Sequence, residues 1–220
     1  MKVHAGTSGF SYDEWRGTFY PDDLPQAGML GHYATHLSSV EINNTFYQMP
    51  KAPLLERWRD AVPRPFLFAL KASRRITHVQ RLKGSSEAVG WFFDAAAVLG
   101  PRLGPVLFQL PPHAQKDAGL LREFLTLPPP GARLAFEFRH PSWFDDEIYA
   151  VLSERSAALC AGDSDEGDRS PPLVATAGWG YLRLRSPAYD APGIRTWTDR
   201  ILAQPWSEAF VYFKHEVFGP

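Results

Sequence analysis

At least six apolar segments of this chain, each of strand length, end on a charged or amide residue, and in each the polar side chains fall on one face. The segments read VEIN, FLFALK, VLFQL, LAFEFRH, LCAGD, YLRLR and VYFKH. Successive side chains of a strand alternate between faces, so counting by two gives Glu41 with Asn43, Lys71, Gln109, Glu137 with Arg139, Asp163, Arg183 with Arg185, and Lys214 a common direction. Polar groups repeated at one end of otherwise apolar strands are costly unless they meet. A ring of parallel strands brings them together, and the carboxyl ends of such strands are where barrel enzymes carry their chemistry.

Between these segments lie stretches with helical periodicity, the alternation of an α/β protein with a parallel sheet. Asp22 and Asp23 precede Pro25 at a helix start, after which Met29, Leu30, Tyr33 and Leu37 share a face. A second helix begins near Ser85 and Ser86, carries Val89, Phe92, Phe93, Ala96 and Leu99, and stops at Gly100-Pro101. Further helices are expected at Leu120–Leu125, at Phe144–Leu152 behind a Ser142 cap, and around Trp197–Leu202. With Val3–Ser8 counted first and Phe210–Lys214 last, eight strands emerge and predict a (β/α)8, TIM-barrel-like fold. It is a lean or irregular one. No helical periodicity runs from Asp163 to Tyr181, and only five residues follow His215, so the helices after strands six and eight are expected to be reduced or missing. That places the weakest sector of the barrel between strands six and eight, with Ser164–Pro172 as its most mobile internal loop.

The 220 residues, 45% of them hydrophobic, are enough for one sizeable core, and residues 1–220 are expected to form a single domain. A formal net charge of -1 excludes a generally basic nucleic-acid coat and leaves a local basic patch open. Cys160 is the only cysteine, which excludes an intramolecular disulfide and a CxxC site and fits a cytoplasmic location. No apolar run approaches the ~18 residues of a membrane span.

The stretches GTSGFSYDEWRGTFYP, SSVEINNTFY, FLFALKASRRITH, GPVLFQLPP, LAFEFRHPSWF, YLRLR and VYFKH, in this order from Ala5 to His215, resemble the YecE-like proteins, a domain of unknown function (DUF72). The resemblance implies a TIM-barrel-like fold in bacterial-type cytosolic proteins and implies no established reaction. Glu41, Asn43, Lys71, Gln109, Glu137, Arg139 and His140 occupy matching motif positions. The chain departs from the family where it carries Arg185-Ser186 in place of a frequent His-Gly pair and Lys214-His215 in place of two asparagines, and it ends earlier than is usual.

Glu137 is the candidate general acid or base, with Lys71 and Arg139 stabilising developing negative charge. Arg183, Arg185 and Lys214 are candidate holders of an anion at the ends of strands seven and eight, the frequent phosphate site of these barrels. Glu41, Asn43, Gln109, His140 and Asp163 complete the candidate substrate contacts. The function expected is an enzyme acting on a small anionic substrate bearing phosphate or carboxylate. Structural counter-readings stand beside it: an ion network of Glu137 and Arg139 plugging the barrel, and a simple Lys71–Glu41 salt bridge. Two other functions stay open. One is a metal-dependent lyase, isomerase or phosphodiesterase, including one working on damaged nucleic acid, with Glu41, Glu137, Asp163, His140 and His215 as donors to a divalent ion. The other is a non-catalytic binder of phosphorylated ligand or nucleic acid. His78 and His113 follow strand ends as candidate proton carriers, and Phe10, Tyr12, Trp15, Phe19, Tyr20, Phe46, Tyr47, Trp143 and Phe144 either wall a cleft or pack the loops.

Overall fold

A computed structural model describes residues 1–163, 171–186 and 189–214. Its strands are β1 (Lys2–Thr7), β2 (Ser39–Ile42), β3 (Leu67–Lys71), β4 (Leu103–Gln109), β5 (Leu134–Glu137), β6 (Ala158–Gly162), β7 (Trp179–Leu184) and β8 (Glu208–Phe213). All eight are parallel, in the order β1-β8-β7-β6-β5-β4-β3-β2, which curls into a nearly closed TIM-barrel-like fold. Helices run between them: α1 (Gln26–His36), α2 (Asn44–Tyr47), α3 (Ala52–Asp60), α4 (Ser86–Ala96), α5 (Ala118–Phe124), α6 (Asp146–Glu154) and α7 (Ala191–Leu202).

The expected apolar faces cover the barrel: Met29, Leu30 and Tyr33 from α1, and Val89, Phe92, Phe93 and Ala96 from α4, are buried. The α6 cap is Asp145, whose carboxylate accepts from the Ile148 amide at 3.1 Å, and not Ser142 as predicted. Ser142 accepts from the Lys116 amide instead, at 2.8 Å. Of the helices the periodicity did not announce, α3 carries Pro53 in its first turn and buries Leu55. Residues 171–178 contain no helix; residues 164–170 and 215–220, where the rest of the leanness and the mobile loop were expected, lie outside the described residues. Among the described residues no helix is long and apolar enough to cross a membrane.

Strand parity divides the interior in two. Val40, Ile42, Phe68, Leu70, Val106, Phe108, Leu134, Phe136 and Leu159 face the helices in one apolar cluster. The alternate positions, Ala69, Leu107, Ala135, Ala158, Cys160, Trp179, Tyr181, Phe210 and Tyr212, fill the lumen. The lumen is therefore packed, and polar side chains occur where this filling stops.

The break in the barrel corrects the sequence expectation. β7 pairs with both β6 and β8, and β8 with β1 from Lys2 to Thr7, whereas β1 and β2 share only an isolated bridge, Ser8 to Glu41. The seam is closed by a side chain: the Tyr33 hydroxyl accepts from the Thr7 amide at 2.8 Å and donates to the Ser39 carbonyl at 3.0 Å. Glycine is required there, because a Cβ on Gly6 would lie 2.0 Å from the Ser39 carbonyl oxygen.

Candidate functional site

At the carboxyl ends of the strands, the lumen-facing positions one step beyond the lumen filling are Lys71 after Ala69, Gln109 after Leu107, Glu137 after Ala135 and Arg183 after Tyr181, and on β2 Glu41 follows Ser39, whose hydroxyl meets that of Tyr212 at 2.6 Å. Arg183 spans the lumen. Its Nη2 donates to Glu41 Oε1 at 2.8 Å and its Nη1 to Glu137 Oε2 at 2.7 Å, so one guanidinium joins β7 to β2 and to β5. Glu41, which has no exposed surface, also accepts from Ser8 Oγ (2.8 Å), Tyr181 Oη (2.7 Å) and Asn43 Nδ2 (3.2 Å). Glu137 accepts further from Arg185 Nη2 at 2.9 and 3.1 Å and from Arg139 Nε at 3.4 Å.

Burial alone would push both carboxyls up, but Arg183 reverses this for Glu41, whose pKa lies below the ordinary range. For Glu137, burial is likewise outweighed, by Arg183, Arg185 and Arg139, and the pKa falls to about 2. A carboxylate held so firmly ionised is matched to fixing charge and geometry rather than to exchanging protons near neutrality. Glu137, the expected general acid or base, is thus held ionised within this network. Arg183 is committed as well: 8% exposed, it is answered by two carboxylates from across the lumen, which the anion expectation for strands seven and eight did not count.

Lys71 is placed differently. Its ammonium makes no ion pair or hydrogen bond among the described residues, so the Lys71–Glu41 salt bridge is not formed; Nζ lies over the Phe46 ring, 4.3 Å from its centroid. Burial first, then the nearby Arg183, lower its pKa to about 8, against the pull of Glu137 and Glu41. Gln109, on the neighbouring strand and in register with Glu137, is 5% exposed, and its amide has no hydrogen-bond partner among the described residues. His78 lies edge-on to the same Phe46 ring at 4.9 Å, with Nδ1 on Thr77 Oγ1 at 2.9 Å. Its pKa is lowered by burial, then by Lys71, Arg139, His113 and Arg74. These causes outline a cationic rim over the ends of β3, β4 and β5.

Two other predicted contacts, Asp163 and His140, are engaged by turns next to the strands. Asp163 lies out of step with Ala158 and Cys160, the lumen-facing residues of β6, and its carboxylate accepts from the Arg185 and Ser186 amides (2.5 and 3.2 Å) and the Tyr189 hydroxyl (2.5 Å). It fixes the turn after β7. His140 caps the short turn after β5, its Nδ1 accepting from the Ser142 amide at 3.2 Å. The Lys214 amide continues the β8 ladder to the Leu184 carbonyl at 2.8 Å, and His215 is outside the described residues. Of the expected divalent-metal donors, His215 lies outside the described residues, and among the described residues no three His, Cys, Asp or Glu side chains come together: Arg183 stands between Glu41 and Glu137. Of the loop aromatics, Phe10, Trp15, Tyr20 and Trp143 are buried as packing, whereas Phe46 faces the site.

A cavity of about 590 Å³ lined by Ser11, Tyr12, Asn43, Asn44, Arg57 and Trp58, among others, adjoins this network through Asn43. Another, of about 610 Å³, lies at the opposite end of the barrel beside His4, Arg133 and Glu208. Cavity size therefore does not single out the charged end, and the chemistry of its groups does.

The family model for "Protein of unknown function DUF72" matches residues 4–219. The chain belongs to the DUF72 family. It is similar to UPF0759 protein YecE of Escherichia coli, 33% identical over 116 residues that cover 52% of this chain and 43% of that one. It is also similar to UPF0759 protein YunF of Bacillus subtilis, 28% identical over 155 residues covering 67% and 54% respectively. The aligned part is about half the length of these relatives. A DUF72 family protein of Thermotoga maritima has the same fold, with a TM-score of 0.84, 24% identity and coverage of 97% of this chain and 92% of that one. One from Enterococcus faecalis matches with a TM-score of 0.76 and 20% identity over 96% and 88%.

Proposed function

We propose that residues 1–220 form one barrel domain and an enzyme that acts on a small anionic substrate at the carboxyl ends of the strands. One observation carries this: among the described residues, four cationic side chains around a single lumen mouth, Lys71, Arg139, Arg183 and Arg185, meet two carboxylates, Glu41 and Glu137, and Lys71 forms no ion pair. Excess cations in a partly desolvated site are relieved by an anion, and guanidinium groups at its edge suit carboxylate or phosphate. Arg139 and Arg185, more accessible than Arg183, are the binding groups in this scheme, with side-chain exposures of 37% and 19% against 9%. Glu41, Glu137 and Arg183 act as their rigid support, and Lys71 is the group that changes protonation. Catalysis is favoured over plain binding by Lys71, since burial and Arg183 lower its pKa to about 8 and so supply a share of free amine that the capture of an anion does not need.

The test is a thermal-unfolding series in phosphate, sulfate and chloride at matched ionic strength. Phosphate and sulfate are expected to raise the midpoint beyond chloride, and Arg139→Ala is expected to remove most of that increment. Equal effects of the three salts on the unmodified protein would overturn the anion site.

A further inference from the structure

We propose that Lys71 forms a Schiff base with an aldehyde or ketone that carries a carboxylate or phosphate, the anionic group being held by Arg139 and Arg185. This names the substrate class of the site above and rests on that anion reading.

The geometry is that of a lysine with no structural employment. It ends β3 on the lumen face, between the strand of Glu41 and the strand of Gln109. Every oxygen of the two neighbouring carboxylates is already taken by Arg183, Arg185, Arg139, Ser8, Tyr181 or Asn43. A lysine kept for an ion pair would have been given one of them. Phe46 covers Nζ without offering a lone pair, so the amine is shielded but chemically unoccupied. Desolvation beside other cations is a recognised way of keeping a lysine amine neutral and nucleophilic. Consistently, burial and Arg183 bring Lys71 to about 8, leaving about two orders of magnitude more free amine near pH 7.5 than an ordinary lysine has.

The step balances without a further reactant. The Lys71 lone pair forms the C–N bond while the carbonyl π pair moves to oxygen. Both amine protons pass to that oxygen, which leaves as water, and C=N replaces C=O. His78, in contact with the same Phe46 ring and with its Nδ1 engaged by Thr77, is positioned as proton carrier for the loss of water. Gln109, with its unpartnered amide, orients the oxygen that departs.

The experiment is reductive trapping near pH 7.5: the intact protein is treated with cyanoborohydride and either glyoxylate, an anionic aldehyde, or acetaldehyde, a neutral one. Adducts are located by peptide mapping. Hydride addition to the iminium carbon makes the linkage permanent. With glyoxylate, Lys71 is expected to react at least roughly tenfold faster than Lys2, Lys51, Lys83, Lys116 or Lys214, and faster than it does with acetaldehyde. Arg139→Ala is expected to slow the glyoxylate reaction several-fold more than the acetaldehyde reaction, while Lys71→Met, checked for retained fold by circular dichroism, loses the fast adduct. If Lys71 reacts no faster than the other lysines while phosphate still stabilises the protein, the Schiff base is overturned and the anion site stands. If Lys71 is fast but indifferent to the aldehyde's charge, and phosphate equals chloride, the anionic substrate class is overturned together with the anion site.

Discussion

The two halves of the lumen mouth are built to opposite rules. Across β2, β5 and β7, Arg183 is pinned between Glu41 and Glu137, and hydroxyls from Ser8 and Tyr181 fill the remaining lone pairs of Glu41. Across β3 and β4, Lys71 and Gln109 point into the same space and neither finds a hydrogen-bond partner among the described residues. A buried ion network of the first kind supports a site and specifies its shape. An amine and an amide of the second kind, left without protein hydrogen bonds at the lumen mouth, mark where a ligand is to be met.

The contrast breaks most visibly at Arg183. Arg183→Met leaves the buried Glu41 without a cation and Glu137 with only Arg185 and Arg139, and is expected to cost about 3–5 kcal/mol in urea unfolding; a loss under ~1 kcal/mol would mean that the network is not what holds this half. Next comes acid. Glu137 falls from the ordinary 4.5 to about 2 in the folded state, so its contribution is fully present above about 4.5 and is lost as pH drops towards 2. On the order of 3 kcal/mol should disappear across that window, and Glu137→Gln should flatten the slope there.

On the opposite side the sign reverses. Lys71→Met is expected to stabilise the protein by about 1–3 kcal/mol at neutral pH, because it removes a desolvated charge and keeps the shape. The folded protein holds the Lys71 proton less tightly than the unfolded chain does. The penalty is therefore complete below about 8 and fades as pH rises towards 10.5, and the advantage of the methionine variant should fade with it. Destabilisation by Lys71→Met would expose a structural role and erase the contrast. The smallest effect belongs to Gln109→Leu, expected within about 1 kcal/mol of the parent and not unfavourable, since no protein hydrogen bond is lost.

Strand parity was legible because a period of two leaves no room for drift within four to seven residues: Lys71, Gln109, Glu137 and Arg183 each follow a residue of the lumen cluster by one step, and Glu41 follows the buried Ser39. The same count, started from Cys160, would have placed Asp163 outside the lumen and added Tyr181 and Ser8 to the site; the polar endings drew attention away from hydroxyls in phase with them. Pairing across the lumen was not legible, since whether Arg183 reaches Glu41 and Glu137 depends on barrel diameter and not on spacing along the chain. Nor was the seam. It depends on how the first two strands meet, and Gly6 and Tyr33 acquire meaning only once Ser39 lies against them.

The most direct measurement is the titration of Lys71 itself, followed by NMR on protein whose lysines carry labelled methyl groups, with Lys71→Met providing the assignment. A midpoint near 8 is expected, moving upward when phosphate binds beside it, because an anion favours the charged amine. A midpoint at the ordinary 10.5, unmoved by phosphate, would contradict the account: Lys71 would then be a solvated surface cation, and the lumen mouth only an ion-paired plug.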